Sequence, residues 1–351
     1  MCVVRWNTWF GNPPEPEWTA DTLDYTFYTF GQDSVPGFEH NGLEWEDLRE
    51  PDTLQMLLFG DVHNSITHSQ WDSIAKRHPH ADFYVQLGDF VERGYFYYNQ
   101  KLYHELCGTG FDSLPIINVP GNHEYRKGLR RTLPDYWQET FPQPQNGPLG
   151  FEGTTYYVDF SDLRLIAINT NGLQHLHDYT RVNTWVKDAL SEAEGRFVIV
   201  IMHHPVHSSG AGRQNIRVAT TFIRALHKAD LVFAGHDHNY ARRLPYIDIN
   251  SSTKTYLHRL SKRDTRVASG VQLYENVTIY GDTLHLQTLI MNSGELYDEV
   301  RIVRHGNKRT ILDFTPATPE IIETPERYKR DDSHKVERFR TRRSSRLSDN
   351  P

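Results

Sequence analysis

The sequence predicts an α/β fold, because from residue 53 onward short apolar runs alternate with segments of helical periodicity. The length of 351 residues agrees with this, since it suffices for one large α/β domain or two smaller ones. The apolar runs predict strands at 55–59, 83–86, 116–119, 156–160, 163–169, 197–202 and 231–234. The amphipathic segments between them predict helices at 70–77, 97–106, 182–194 and 214–228.

Turn residues indicate how some of these strands connect. Ser161-Asp162 separates two of the runs and predicts a β-hairpin. Near the C-terminus, a further group of strands is predicted to form an antiparallel meander, with Gly281-Asp282 as its first turn. The meander strands are predicted at 277–280, 284–290 and 300–303.

Composition excludes several classes of protein. The net charge of -7 argues against a basic nucleic-acid-binding protein. No apolar run approaches the roughly 20 residues of a membrane span, and the N-terminus carries no recognisable signal peptide, although export of a longer precursor stays open. Cys2 and Cys107 are the two cysteines, too few for a disulfide scaffold. The 19 histidines are an unusually large supply of imidazole.

Two flanking segments differ from the body of the chain. Residues 1–52 are rich in aromatics and contain an alternating run at 25–30, which predicts a small β-rich element. We expect its aromatics to pack on the main domain, with a binding face as the alternative. Residues 313–351 form a basic tail, which is expected to be disordered or loosely attached because it has few large apolar residues. Contact with nucleic acid through this tail is the less favoured alternative to a solubilising role. The body is therefore 53–312.

Metal-binding side chains follow five of the predicted strands. In open α/β sheets, ligands bind in the crevice beyond the carboxyl ends of the strands. A single histidine after a strand is usually structural, but five strand ends with the same chemistry indicate a metal site. These residues are Asp61 and His63, then Asp89, then Asn122 and His123, then His203, and finally His236 and His238.

The donor atoms of this set suit particular ions. Carboxylate, imidazole and amide oxygen together favour Zn, Mn or Fe over Ca or Cu(I). One carboxylate between two half-sites can bridge two ions roughly 3.5–4 Å apart, the spacing used for in-line displacement at phosphorus. A water between such ions would lose a proton near neutral pH and become the nucleophile.

The five blocks resemble the signature of the calcineurin-like metallophosphoesterases. The resemblance extends from Gln55 to Arg304, and Gly235 to Arg242 is similar to the purple-acid-phosphatase-like branch. It implies a four-layer α/β/β/α sandwich of two mixed sheets flanked by helices, with a small N-terminal β-rich element. The blocks are Gly60-Asp61-Val62-His63, Gly88-Asp89, Gly121-Asn122-His123-Glu124, His203-His204-Pro205 and Gly235-His236-Asp237-His238.

The resemblance implies a role for each matching residue. Asp89 would bridge two divalent or trivalent ions, and His123 would protonate the leaving oxygen, a role that imidazole often has. Glu124 would orient a neighbour. The first ion would be bound by Asp61, His63 and His238, and the second by Asn122, His203 and His236. Weaker candidates for substrate contact are Arg93, His204, His207, Arg213, Tyr240 and Arg242; for each of them a purely structural role is at least as plausible.

The sequence departs from the purple phosphatases at two positions. They have a tyrosine three residues after the bridging aspartate, and this chain has Glu92 there. They also lack the first-block histidine that is present here as His63. The resemblance therefore implies a colourless, generic metallophosphoesterase rather than an iron-tyrosinate enzyme.

The leading hypothesis is metal-dependent hydrolysis of a phosphomonoester or phosphodiester on a phosphorylated small molecule or protein. One alternative is a nucleotide phosphodiesterase or nuclease, which the acidic balance of the chain disfavours. Another is a catalytically silent metal-binding scaffold, which the complete set of ligand positions disfavours. Family members with an extra N-terminal β-module are often exported, so the resemblance favours an exported or periplasmic location over a cytoplasmic one.

Overall fold

The computed structural model describes residues 53–126, 131–193, 195–306 and 308–323. The predicted segment 1–52 and the tail after residue 323 lie outside the described residues, and the division of the chain at residues 52 and 312 stays a prediction. None of the described helices combines the length and the apolar character needed to cross a membrane.

Seven strands match the predicted apolar runs in order. Each run lies within two residues of the strand bounds, and the two hairpin strands pair antiparallel as predicted. They are β1 (Thr53–Phe59), β2 (Phe83–Gln86), β3 (Ile116–Asn118), β4 (Tyr156–Asp159), β5 (Leu163–Ile168), β6 (Phe197–Met202) and β7 (Leu231–Ala234).

The helices match the predictions less closely. Helix α3 was not predicted, because one and a half turns are too short to show helical periodicity. Helix α4 begins six residues before its predicted start, with Leu176 and His177 exposed in its first turn. The helices are α1 (His68–Arg77), α2 (Phe96–Leu106), α3 (Asp135–Thr140), α4 (Leu176–Ser191) and α5 (Ile216–Leu226).

Seven further strands follow in the C-terminal part. The meander is confirmed as β11, β12 and β13, whereas β8, β9, β10 and β14 were not predicted. The first three of those four are only three or four residues long, and β14 is exposed throughout. The ranges are β8 (Tyr240–Arg243), β9 (Tyr246–Asp248), β10 (Arg266–Ala268), β11 (Leu273–Tyr280), β12 (Thr283–Ile290), β13 (Leu296–His305) and β14 (Lys308–Asp313).

The described strands form two mixed sheets. The first has the order β14-β13-β12-β11-β1-β2-β3, in which β1, β2 and β3 are parallel. The second has the order β10-β8-β9-β7-β6-β5-β4, in which β5, β6, β7 and β9 are parallel. The predicted pair of mixed sheets is therefore confirmed.

Alternating side chains pack the two sheets into four layers. In β1, Leu58 faces the other sheet and shares a core with Leu165 of β5. Its neighbour Phe59 points the opposite way and packs on Trp71 of α1, with ring centroids 4.8 Å apart. On the outer face of the second sheet, Ile166 packs with residues of α4 and α5. The order of layers is helices, sheet, sheet and helices.

This arrangement brings strand ends from both sheets together. Parallel strands β1, β2 and β3 end at one edge of the first sheet, and β6 and β7 end at the adjoining edge of the second. The two edges are joined directly, because Nδ1 of His203 after β6 is 2.9 Å from the carbonyl oxygen of Leu87 after β2. The loops with the predicted metal ligands therefore share one crevice.

The chain beyond residue 312 continues along the body as far as it is described. Oγ1 of Thr315 donates to Oδ1 of Asp298 (2.6 Å), and Arg266 donates to the carbonyl oxygen of Thr318 (2.9 Å). Ile322 pairs with Ser269 in a short parallel bridge. The described part of the predicted tail, 313–323, is thus held against both sheets, at Asp298 of β13 and at Arg266 and Ser269 of the β10 segment.

Candidate metal centre

The first group of donor atoms comes from the loops after β1 and β7. Nε2 of His63 and Nε2 of His238 are 3.1 Å apart. They lie 3.9 and 3.6 Å from Oδ1 of Asp61, respectively. All three residues are buried. The structure therefore brings Asp61, His63 and His238 together as predicted for one ion, with their donor atoms within 4.8 Å of one another.

The second group comes from the loops after β2, β3, β6 and β7. Nε2 of His203 is 3.4 Å from Oδ2 of Asp89 and 3.1 Å from Oδ1 of Asn122. It is also 3.2 Å from Nδ1 of His236. His203 thus contacts each of the other three residues predicted to share the second ion.

Asp89 connects the two groups. Its Oδ2 atom is 3.7 Å from Nε2 of His63 in the first group and 3.4 Å from Nε2 of His203 in the second. Asp61 provides another link, because its Oδ2 accepts a hydrogen bond from the backbone N–H of His236 (2.6 Å). One carboxylate oxygen therefore faces donors on both sides, as a bridging ligand must.

An unpartnered buried atom shows that these residues fit a metal ion. Oδ1 of Asp61 is buried and has no hydrogen-bond partner within the described part of the chain, and it faces Nε2 of His63 (3.9 Å) and Nε2 of His238 (3.6 Å). Buried polar atoms are nearly always paired, so an orphaned carboxylate oxygen beside two imidazole nitrogens calls for an explanation. Carboxylate oxygen and imidazole nitrogen are ligands of borderline metal ions. The cluster is therefore a site that could bind metal.

Four of the ligand positions adopt a left-handed backbone conformation. The φ angles are 52° at His63, 55° at Asp89, 71° at His236 and 52° at His238. Positive φ is uncommon for residues other than glycine, and it clusters at functional sites where the surrounding structure imposes it. The loops therefore hold these side chains at a cost in backbone energy.

Glu124 fixes the loop that carries Asp89. Its two carboxylate oxygens accept hydrogen bonds from the backbone N–H groups of Asp89 (2.8 Å), Phe90 (2.8 Å) and Gly121 (2.7 Å). Gly121 has no room for a side chain, since a Cβ there would lie 2.2 Å from the nitrogen of Asp89. These contacts give Glu124 the orienting role that was expected from the sequence.

Burial keeps most of the site histidines neutral. It lowers the pKa of His63 to about 2 and that of His238 to about 3, in spite of the nearby carboxylate of Asp89. Burial also lowers the pKa of His236 well below its ordinary value, and His203 and His204 add to this effect. Neutral imidazole is the form that binds metal, so these three side chains need not lose a proton first.

The two carboxylates and His203 perturb one another. Burial raises the pKa of Asp61 well above its ordinary value, against the opposing field of His203, and Asp89 adds to the rise. Burial also acts to raise the pKa of Asp89, but His203 outweighs it and holds that pKa well below its ordinary value. In return Asp89 overcomes burial and raises the pKa of His203 to about 9. Asp89 is therefore the ionised member of the pair.

His204 lies inside the protein rather than on a substrate surface. Its Nδ1 is 2.9 Å from Oγ1 of Thr170, and its ring centroid is 4.4 Å from that of His236. The side chain of His204 therefore packs against the candidate ligand His236. The expectation that His204 contacts substrate is therefore corrected to a packing role.

The burial of His204 predicts acid sensitivity of the metal-free protein. Burial and the neighbouring His203 lower its pKa to about 3, whereas a histidine of the unfolded chain titrates near 6.5. Between these values the unfolded chain binds a proton that the folded protein does not, so the free energy of unfolding falls as the pH falls. We expect His204 to contribute a loss of about 2 kcal/mol between pH 6.5 and 5.

Urea unfolding in the presence of a chelator at pH 7 and pH 5 measures this loss. His204→Gln should flatten the pH dependence, and the exposed control His104→Gln should leave it unchanged. An unaltered pH dependence in His204→Gln would contradict the prediction.

Tyr240 and Arg242 are not positioned to contact substrate. Both are fully buried, and they lie on the same face of β8, directed into the interior. The Tyr240 hydroxyl donates to Oδ2 of Asp298 (2.7 Å), and Arg242 binds the same carboxylate through Nε (2.7 Å) and Nη2 (3.1 Å). Their proximity to the ligands in sequence was misleading, because β8 turns away from the crevice.

The other two arginine candidates differ from each other. Arg93 is exposed on the loop before α2. Arg213 lies beside the candidate metal centre. Its Nη2 donates to the carbonyl oxygen of His236 (2.6 Å), and its guanidinium stacks on Tyr256, 4.0 Å from the ring centroid. Tyr256 in turn packs on His238, with ring centroids 4.6 Å apart. Tyr256 carries no signal in the sequence, because it lies in a long irregular loop.

Glu92 and Asp237 complete the surroundings. Glu92, which occupies the position of the purple-phosphatase tyrosine, pairs with Lys254 (2.6 Å), and its Oε2 is 3.4 Å from Nδ1 of His63. Asp237 is fully buried between two ligands in sequence and accepts a hydrogen bond from Nε of Arg213 (3.2 Å). Asp237 is not among the residues predicted from the sequence, although its place within the last block is a usable signal.

Comparison with known proteins identifies a family of phosphoesterases. A family model described as calcineurin-like phosphoesterase matches residues 54–240. Among curated proteins, the chain is similar to a phosphoenolpyruvate phosphatase of Allium cepa, with 26% identity over 250 residues that cover 67% of this chain and 44% of the relative. Purple acid phosphatase 3 of Arabidopsis thaliana is 27% identical over 185 residues, which cover 45% of this chain and 48% of the relative.

A third curated relative belongs to another substrate class by name. It is the glycerophosphodiester phosphodiesterase GpdQ of Enterobacter lignolyticus, with 25% identity over 133 residues that cover 36% of this chain and 45% of the relative. The chain spans about half the length of the curated relatives it matches.

Solved structures share the fold. The purple acid phosphatase PPD1 of yellow lupin (Lupinus luteus) superposes with a TM-score of 0.57 at 14% identity, over 73% of this chain and 54% of that protein. PhoD superposes with a TM-score of 0.53 at 9% identity, over 83% of this chain and 78% of that protein. At this level of identity the likeness concerns the fold, and it agrees with the two-sheet architecture.

Proposed function

Because the chain belongs to the calcineurin-like phosphoesterase family, we propose that it hydrolyses phosphate esters with two metal ions bound at the centre described above. The predicted relation to this superfamily and its purple-acid-phosphatase-like branch is confirmed. The observation that carries the proposal is the position of Oδ2 of Asp89, within 3.7 Å of donors in both groups.

In this proposal each group would hold one ion. Asp61, His63 and His238 would hold the first, and Asp89 would be shared with the second. When bound, such ions stabilise the negative charge that develops on phosphate oxygens and lower the pKa of water between them. The second ion would be held by Asn122, His203 and His236. Zn, Mn and Fe suit these donors.

The chain's own residues shape the reaction at phosphorus. Water attacks phosphorus opposite the leaving group and releases a proton to solvent, the bond from phosphorus to the ester oxygen breaks, and His123 delivers a proton to that oxygen. His123 is suited to this because its Nδ1 donates to the carbonyl oxygen of Glu92, which leaves Nε2 directed at the centre, 4.0 Å from Oδ2 of Asp89. Its side chain is 26% exposed, so an ester can reach it.

Replacing His123 should separate proton transfer from metal binding. His123→Asn is expected to retain the bound metal and to lower kcat by about 10²–10⁴-fold, the usual contribution of a general acid. The measurement is metal content by elemental analysis together with steady-state kinetics. His177→Asn, on an exposed side chain, is the control.

His123 also lies close enough to His63 and Asp89 to serve as a ligand instead. If His123→Asn loses as much metal as Asp89→Asn does, His123 is a ligand and the assignment as general acid is wrong.

The proposed activity is tested by metal analysis combined with a substrate screen. The curated relatives include a phosphatase and a phosphodiesterase by name, so p-nitrophenyl phosphate and bis(p-nitrophenyl) phosphate are both required. We expect hydrolysis of at least one ester, loss of activity with a chelator, and recovery with Mn, Fe or Zn. A protein that binds two ions and hydrolyses neither ester would instead be a silent metal-binding scaffold.

A further inference from the structure

A basic cavity lies next to the metal centre, on the second sheet. Its volume is about 300 Å³, and its lining includes three guanidinium groups: those of Arg243 at the end of β8, and of Arg259 and Arg263 in the loop before β10. His207 and Ser208, which follow β6, form the facing wall. This volume is at the lower end of those found for small-molecule sites.

The cavity has an excess of positive charge. Arg243 is paired with Asp264, whose Oδ1 accepts from Nε (3.0 Å) and Nη2 (2.6 Å). Within the residues described by the structure, the guanidinium groups of Arg259 and Arg263 form no ion pair. The lining of the cavity thus has three guanidinium cations, and the carboxylate of Asp264 balances one of them.

The electrostatics of His207 reflect the same convergence. Burial lowers the pKa of His207 to about 4, and Arg243, Arg263 and Arg259 contribute to the decrease. Asp264 opposes them without reversing the result. At neutral pH the imidazole of His207 is therefore an uncharged hydrogen-bonding group close to three arginines.

We propose that this cavity is a second phosphate-binding site, which takes a phosphate group through Arg243, Arg259 and Arg263. Guanidinium groups offer paired N–H donors that match the oxygens of phosphate, and unpaired arginines supply the charge that a dianion needs. Neutral His207, which carries one N–H donor, provides a further polar contact on the opposite side.

A short series of hydrogen bonds joins this site to the metal centre. The Ser208 hydroxyl donates to Oδ2 of Asp237 (2.5 Å), and Oδ1 of Asp237 accepts from Nε of Arg213 (3.2 Å). Arg213 then donates to the carbonyl oxygen of His236 (2.6 Å). A phosphate group in the cavity therefore lies beside Ser208, which is linked through Asp237 and Arg213 to His236 of the second group.

Two sources could supply this phosphate group. One is free inorganic phosphate, and the other is the second phosphoryl group of a substrate whose first is at the metals. The second source rests on the proposed hydrolase function, whereas binding of inorganic phosphate does not depend on it. The experiment therefore measures binding first and kinetics second.

Calorimetric titration of the metal-loaded full chain with inorganic phosphate tests the site. We expect Arg259→Ala/Arg263→Ala to lose one class of phosphate sites, or to weaken it by roughly tenfold or more, because the two unpaired guanidinium groups are removed. Arg217→Ala/Arg224→Ala removes two exposed arginines of α5 and should bind phosphate like the wild type. Arg259→Lys/Arg263→Lys keeps the charge and should bind with intermediate affinity.

Equal phosphate stoichiometry and affinity in the wild type and the alanine double variant would overturn the proposal. Thermal unfolding of each variant tests whether the fold is retained. We expect that it is, because the side chains of Arg259 and Arg263 are exposed.

Kinetics with fructose 6-phosphate and fructose 1,6-bisphosphate distinguish the two sources. If the cavity takes a substrate phosphoryl group, KM for the bisphosphate is roughly tenfold lower, and this advantage disappears in the alanine double variant while kcat is kept. If it takes free phosphate, the two substrates have similar KM values and the calorimetric difference remains. A protein that binds phosphate in the cavity but hydrolyses no ester would support this site and contradict the hydrolase proposal.

Discussion

Asp89→Asn is expected to abolish hydrolysis and to empty both metal positions. The substitution removes the negative charge that faces donors of both groups, at 3.7 Å from His63 and 3.4 Å from His203. Removal of one charge-stabilising group at an active site already costs about 10²–10³ in kcat, and a shared ligand should cost at least the upper value. Metal content and kcat should therefore fall together.

The folded structure should survive this change. Asparagine is among the residues that best tolerate the left-handed conformation, and φ is 55° at Asp89. Its backbone contacts with Glu124 do not involve the side chain that is altered. Asp135→Asn makes the same chemical change at an exposed position in the first turn of α3 and serves as the control. Full metal content in active Asp89→Asn protein would refute the bridging role.

Asp298→Ala should produce the largest loss of stability among the substitutions considered, about 3–5 kcal/mol in the free energy of unfolding. Asp298 and Arg242 are each 1% exposed, and they form two hydrogen bonds across the interface between the sheets. Without the carboxylate, the Arg242 guanidinium and the Tyr240 hydroxyl lose their shared buried partner. Asp313 and Thr315 still contact Arg242 and limit the loss.

Urea unfolding measures this effect. Asp72→Ala breaks an exposed ion pair with Lys76 and should cost less than about 1 kcal/mol. Arg242→Met/Asp298→Leu replaces the buried pair with apolar groups and should recover much of the stability, because no buried charge is then unpaired. If Asp298→Ala costs no more than Asp72→Ala, the buried pair does not stabilise the fold.

The fold and the grouping of the candidate ligands could be predicted because both have short-range signals. Apolar runs marked β1 to β7, and the residues that follow them directly, from Asp61 to His238, were brought together by parallel strand ends. Strand periodicity explains the errors at β8. Tyr240 and Arg242 share the face directed between the sheets, whereas Arg243 points the other way and lines the basic cavity.

The rest of the surroundings depends on contacts between distant parts of the chain. Lys254 and Tyr256 approach Glu92 and His238 from an irregular loop, where no periodicity indicates which side chains face inward. The same holds for Arg259 and Arg263, whose role depends on a cavity closed by residues about fifty positions earlier. Pairings of this kind are fixed by the tertiary structure, and a sequence pattern does not contain them.

The left-handed backbone at His63, Asp89, His236 and His238 has an evolutionary consequence. Each such residue costs about 1–2 kcal/mol relative to glycine in the same conformation. Mutations to glycine at these positions would remove ligands and relieve backbone strain in the same step. The sequence that carries the candidate ligands is thus not the most stable sequence for this fold. Loss of chemistry with retention of the scaffold is an energetically easy path for its descendants.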